Sequence, residues 1–190
     1  MNRRDFLKQT GLAAAAALQA QGPPITLDPN DPIASAPPVK WAAGELQQAL
    51  AAPGARVPPG FRLLAAGADT PAAREILTRA NVSLPPAPEA FALVPGKTLL
   101  ACANDTRGLV YALLELADQV RQTGAIDVRK PIVERPANAI RSVARSFVSD
   151  VEDKSWYNDR SMWPPYLSML AAERFNRFHL TLGIGYDFTR

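Results

Sequence analysis

Tyr186 and Asp187 stand side by side just after an apolar run, Phe178-His179-Leu180-Thr181-Leu182, that ends in Gly183-Ile184-Gly185. An aromatic face beside a carboxylate suits a pyranose ring: the aromatic stacks on the ring and the carboxylate accepts from its hydroxyls. The bland alternative is a loop pair with no ligand. Trp156, Tyr157 and Trp163 follow an earlier apolar run and either stack on a sugar or pack down the loop that carries them. Asp150, Glu152 and Asp153 offer oxygens to a hard cation, but the spacing fits no known calcium loop, and a solvated loop is the preferred reading. His179 alternates with Phe178 and Leu180, which reads as a core or interface histidine before it reads as a catalyst.

Other chemistries have little to work with. There is one cysteine, Cys102, and one histidine, so zinc, haem and iron–sulfur ligation by the usual spacings is not expected, and neither a metal nor any other cofactor is assigned. Cys102 sits in the apolar run Leu99-Leu100-Ala101-Cys102-Ala103 and reads as a small buried hydrophobe. The formal charge is +3, with no cluster of Lys and Arg interleaved with aromatics, so a nucleic-acid partner is not expected. No residue of the chain is assigned as catalytic.

Chemistry of this kind needs elements to hold it. Val39, Ala42, Ala43, Leu46, Ala49 and Leu50 share a helical face that stops at Pro53-Gly54. Residues 61–66 read as a strand. Thr70-Pro71 opens a second helix, with Thr70 as cap. Residues 91–94 and 98–102 are two strands about a Pro95-Gly96-Lys97 turn. Asn104-Asp105-Thr106 caps the strongest helix, whose apolar face is Leu109, Val110, Leu113, Leu114, Ala117 and Val120, and Gly124 closes it. Together these predict a small, sandwich-like α/β domain over residues 21–135, with a proline-rich, irregular lead-in over 21–38. Pro131 and Pro136 bracket a linker.

Composition then changes. Of the 14 aromatic residues, nine lie from Phe147 onward. Residues 140–147 read as a strand, 163–175 as a helix and 178–182 as a second strand, a parallel βαβ unit. One such unit has too little core to close on itself, and residues 136–190 read as the start of a truncated (β/α)₈ barrel. No later segment is long and apolar enough to span a membrane.

The N-terminus resembles a twin-arginine (Tat) export signal over residues 1–20. Arg3, Arg4 and Lys8 precede an apolar stretch with Ala13 to Ala17, and Leu18-Gln19-Ala20 offers a cleavage site. The resemblance implies the Tat machinery as a partner through Arg3 and Arg4, a periplasmic or extracellular location, and no stable membrane insertion after cleavage. Removing Arg3, Arg4, Lys8 and Asp5 lowers the formal charge from +3 to about +1. Many Tat substrates carry redox cofactors, for which this chain shows no ligand set.

Three segments resemble a known arrangement. Asp105-Thr106-Arg107-Gly108-Leu109-Val110-Tyr111-Ala112-Leu113-Leu114-Glu115-Leu116-Ala117 is similar to the last helix of the small domain before the barrel in bacterial beta-hexosaminidases and alpha-glucuronidases. Glu134-Arg135-Pro136-Ala137-Asn138-Ala139-Ile140-Arg141 resembles the linker and first barrel strand. Ala171-Ala172-Glu173-Arg174-Phe175-Asn176-Arg177-Phe178-His179-Leu180 resembles the Asn-x-x-His-Leu entry to the second strand. The resemblance implies an exported glycoside hydrolase whose carboxylates lie on later barrel strands, so the 190-residue chain alone is expected to be inactive. It also implies a sugar-binding role for Arg141, where the family has an Arg-Gly pair and this chain has Arg141-Ser142; the alternative for Arg141 is a strand-end salt bridge. The family's His-Leu-Thr-Asp is replaced by His179-Leu180-Thr181-Leu182, so the hexosaminidase substrate is not supported. The competing expectation is a non-enzymatic carbohydrate-binding or accessory protein whose working part is the small domain.

Overall fold

The computed structural model describes residues 24–149 and 151–183. A five-stranded sheet is built from β1 (Ile25–Leu27), β2 (Leu63–Gly67), β3 (Phe91–Val94), β4 (Leu99–Ala103) and β5 (Ile132–Glu134), in the order β1-β2-β4-β3-β5. β1, β2 and β4 are parallel, with Ile25 opposite Leu63 and Leu63 opposite Leu99. β3 runs antiparallel to β4 through the turn at Pro95-Gly96-Lys97, and β5 runs antiparallel to β3. The chain is thus an α/β fold, as expected, and this sheet is mixed, with two parallel and two antiparallel pairings.

Helices cover both sheet faces. On one face lie α1 (Pro37–Ala51) and α3 (Thr106–Thr123), which bury Leu46, Leu109, Leu113 and Leu116 against Leu63, Ala65, Leu93 and Ala101. On the other lies α2 (Pro71–Arg79), which buries Ala73 and Leu77 against Ala66, Ala92, Leu100 and Cys102. Because both faces are covered, β3 and β4 are buried at every position. They therefore read as unbroken apolar runs without alternation. Thr70 caps α2 by accepting from Ala73 N–H at 3.3 Å. Asp105 caps α3 by accepting from Gly108 N–H at 2.8 Å. Gly124, at φ 74°, ends α3 in the left-handed conformation that glycine adopts without strain.

Two expectations fail in this layer. The proline-rich lead-in contains β1, the parallel edge strand, and its Asp31 is 5 % exposed. The Asp31 carboxylate accepts from Gly67 N–H at 2.6 Å and Ile33 N–H at 2.9 Å, which fastens the lead-in to the end of β2. The linker between Pro131 and Pro136 is β5, paired through Phe91 opposite Glu134 and Leu93 opposite Ile132. Each strand is three residues long, too short to leave a periodic signature, and each exists because a long neighbour templates it.

The remaining elements are β6 (Ser142–Phe147), α4 (Lys154–Asn158), α5 (Trp163–Ala172) and β7 (Arg177–Leu182). β6 and β7 pair in parallel from Ser142 opposite Arg177 to Phe147 opposite Leu182. This is the expected βαβ segment, with the short α4 added in its loop. Among the described residues these strands pair only with each other. His179 is exposed, because nothing among the described residues covers its face of β7. α5 stops at Ala172, and Arg174, at φ 61°, turns the chain into β7.

Candidate functional site

A connected group of charged and hydrogen-bonding side chains lies where the five-stranded layer meets the entries to β6 and β7. Its centre is Glu89, whose side chain is 6 % exposed. Glu89 sits before β3 in a left-handed turn, φ 61°, at an energetic cost for a non-glycine residue. The turn is fixed by Asp105, the α3 cap, whose second oxygen accepts Glu89 N–H at 2.7 Å. One carboxylate therefore starts a helix and orients the neighbouring acid.

Three donors converge on Glu89. Arg107, in the first turn of α3, donates to Oε1 at 2.6 Å. Asn176, just before β7, donates to the same oxygen at 3.1 Å. Arg141, just before β6, donates to Oε2. Arg141 also donates from Nε to the Arg174 carbonyl at 2.7 Å, from Nη1 to the Asn138 carbonyl at 2.7 Å, and from Nη2 to the Tyr111 hydroxyl at 3.4 Å. Its guanidinium carbon lies 5.8 Å from the Tyr111 ring centroid. Arg141 and Asn176 also lock together: Arg141 N–H donates to Asn176 Oδ1, and Asn176 N–H to the Arg141 carbonyl, both at 2.9 Å.

The electrostatics are balanced, with Arg107 and Arg141 facing Glu89 and Asp105. Burial pushes the Glu89 carboxyl up, but the donors from Arg107, Asn176 and Arg141 outweigh it and hold the group below its ordinary range. Burial, then the nearby Glu89 charge, raise the Tyr111 phenol against the opposing pull of Arg141. A second arginine repeats the arrangement. Arg174 donates to Glu134 at the end of β5 and to Glu115 on α3, and its guanidinium carbon lies 5.2 Å from the Phe91 ring centroid.

This group binds elements together at the N-terminal ends of β6 and β7. In a barrel the reacting end is the opposite one, at the strand C-termini. Of the two readings for Arg141, a sugar contact and a strand-end salt bridge, the geometry matches the second: its guanidinium is turned to the five-stranded layer, with an acceptor on every nitrogen. Sequence reading missed Glu89 and Asn176 as its partners. Glu89 lies in a Pro-rich loop, 52 residues from Arg141, and only the coincidence of an Asn before one strand and an Arg before the other hints at a shared contact.

At the other end, Gly183 N–H donates to the Phe147 carbonyl at 2.7 Å, closing the pair of strands. Tyr186, Asp187 and Asp150 lie outside the described residues, as do residues 1–20. Trp156 and Tyr157 sit near this end, against Phe147, whereas Trp163 packs on Phe178, near the start of β7. The Phe147 ring lies 4.9 Å from Tyr157 and 6.3 Å from Trp156, and Trp163 lies 5.9 Å from Phe178. Arg145 stacks on Trp156 at 3.9 Å. Asp153 accepts from Val148 N–H, Ser149 N–H and Trp156 Nε1 at 2.8–2.9 Å, which holds its carboxyl below the ordinary range. Its oxygens are thus spent on folding the loop. No group of three or more potential metal-ligating side chains converges among the described residues.

A crevice of about 650 Å³ opens past the C-terminal ends of β2 and β4, lined by Asp69, Arg74, Leu77, Leu84, Asn104 and Asp105 among others. Arg74 pairs with Asp69 at 2.8 Å, and Asn104 Nδ2 donates to the Pro85 and Ala87 carbonyls. Open α/β sheets present ligand crevices at this end of their parallel strands.

No protein-family model matches the sequence, and no curated protein matches it. Among solved structures, the chain resembles a GH138 enzyme targeting pectin rhamnogalacturonan II, with TM-score 0.55 and 22 % identity over 75 % of this chain. It also resembles a GH115 4-O-methyl-alpha-glucuronidase with specificity for decorated arabinogalactans, with TM-score 0.52 and 14 % identity over 83 % of this chain. The chain spans 17 % and 24 % of the length of these two proteins. At such identities the likeness is one of fold, a fold found in glycoside hydrolases.

Proposed function

We propose that this chain is the N-terminal part of an exported glycoside hydrolase acting on poly- or oligosaccharides. The observation that carries the reading is an order of parts: a mixed five-stranded layer, then a parallel βαβ segment, in a fold shared with two glycoside hydrolases over most of the chain. In this reading residues 1–20 are a Tat signal engaged through Arg3 and Arg4, and the protein works in the periplasm or outside the cell. Residues 21–135 are the small domain, and residues 136–190 open a (β/α)₈ barrel. Leu167, Met169, Leu180 and Leu182 are exposed on the βαβ segment, which is apolar surface that further barrel elements would cover. Tyr186 and Asp187, following β7, are the proposed sugar contacts, and Arg141 holds the strand entry. The catalytic carboxylates belong to later strands, and the 190-residue chain alone does not hydrolyse glycosides.

The test is to read the coding frame past codon 190 and to assay the polypeptide it encodes beside the 190-residue chain. Substrates are aryl glycosides, rhamnogalacturonan II and decorated arabinogalactan, the last two chosen from the structural neighbours. Sugar release by the longer polypeptide alone supports the reading. A stop codon directly after codon 190, or turnover by the 190-residue chain, overturns it.

The crevice beside Asp69 and Arg74 favours a second reading, a non-enzymatic carbohydrate-binding protein. Titration of the 190-residue chain with the same oligosaccharides, followed by backbone NMR, would move the Asp69, Arg74 and Asn104 amides if that reading holds.

A further inference from the structure

We propose that Glu89 is a clasp through which the βαβ segment docks on the five-stranded layer as a separable unit. The layer completes its own core without that segment: the sheet, α1, α2 and α3 bury Leu46, Leu63, Leu93, Leu100, Leu109 and Leu113 among themselves. The docking contact is different in kind. Apart from Ala171 and Ala172 near the end of α5 and the Tyr111 and Phe91 rings beside Arg141 and Arg174, it is made of charged and amide groups, namely Glu89 with Arg141 and Asn176, and Arg174 with Glu115 and Glu134.

Three details separate a clasp from an incidental ion pair. First, the Glu89 backbone is held in a left-handed turn by Asp105, a contact made within the layer that does not need the βαβ segment. Second, it receives one donor from each strand entry, Arg141 for β6 and Asn176 for β7, so a single carboxylate sets both strands to one height. Third, Arg107 supplies the layer's own partner to Glu89. The carboxylate therefore keeps a counter-charge when the segment lifts away, and undocking does not strand a buried charge in the layer. Opening of the joint is then a sub-global event, with a lower free energy than unfolding of the layer.

Hydrogen exchange of the full 190-residue chain, read peptide by peptide, tests this. Glu89→Gln and Arg141→Gln are each expected to speed exchange in β6 and β7 by about tenfold or more while β3 and β4 amides keep their protection. Because the two residues share one ion pair, the double variant is expected to accelerate exchange by clearly less than the two single effects combined. Arg74→Gln, in an exposed pair away from the joint, is the control and leaves β6 and β7 unchanged. Equal acceleration in both layers, no acceleration in either, fully additive effects in the double variant, or the same result from Arg74→Gln would each overturn the clasp. Arg141→Gln keeps the test open if Glu89→Gln fails to fold, since Arg141 lies outside the layer.

Discussion

The carbonyl oxygen of Ala90 lies 2.8 Å from the point a Cβ on Gly108 would occupy, and the Ala103 Cβ lies 3.0 Å from it. The first turn of α3 thus rests directly on the backbone beside Glu89, and that closeness brings Arg107 and Tyr111 to the joint. Gly108→Ala sets two effects against each other. Alanine favours the helix by about 1 kcal/mol. Overpacking against a backbone oxygen costs about 1–3 kcal/mol. The backbone cannot rotate away as a side-chain tip would, so the variant is expected to be less stable, with a lower urea midpoint. A higher midpoint would show that α3 can shift freely.

Asp105 has two acceptor duties, to Gly108 N–H and to Glu89 N–H. Asp105→Ala is expected to cost about 1–2 kcal/mol for the lost cap alone. It should also release the Glu89 turn, so exchange at β6 should rise together with the drop in stability. Asp105→Asn should recover most of the helix stability.

Glu89 carries a pH signature. Its folded carboxyl lies below its ordinary value of 4.5, so the folded state binds fewer protons than the unfolded state in that window. The stabilisation is fully present above about pH 4.5 and is lost as pH falls through the lower folded value. Urea unfolding between pH 7 and pH 3 should therefore show a shallower acid decline in Glu89→Gln than in the parent chain. Identical slopes would mean that the carboxylate contributes nothing through its charge.

Cys102 is fully buried on β4, and burial pushes its thiol up to about 12. Labelling by a thiolate-selective reagent at pH 8 should be absent in the native chain and rapid in urea. Cys102→Ser should destabilise by about 1–3 kcal/mol, because the hydroxyl gains polarity in an apolar cluster of Ala92, Val94 and Leu100.

What the sequence made legible follows the range of the interactions. α3 is written locally: Asp105 caps it, Leu109, Leu113 and Ala117 mark its face, and Gly124 ends it. The β3–β4 hairpin is likewise announced by Pro95-Gly96-Lys97 between apolar runs, and the βαβ segment by two such runs flanking Trp163-Pro164-Pro165. β1 and β5 are invisible for the opposite reason, since three residues become a strand only when a distant partner offers a ladder. Glu89 was unreadable too. Nothing around it is periodic, and its partners Arg107, Arg141 and Asn176 are 18, 52 and 87 residues away. Arg141 carries two sequence readings, a sugar ligand and a strand-end salt bridge, and it makes the salt bridge, to Glu89; the sequence does not name that partner, because spacing cannot say which way an arginine turns at the end of a strand.

β5 ends at Glu134 and β6 begins at Ser142. The seven residues between them reach at most about 25 Å when fully extended. A leash that short keeps Arg141 at an effective concentration near Glu89 on the order of millimolar whenever the joint is open. Reclosing is then a first-order event, set by the chain and unaffected by protein concentration. The edge strand that seals the sheet also fixes how far its neighbour can stray.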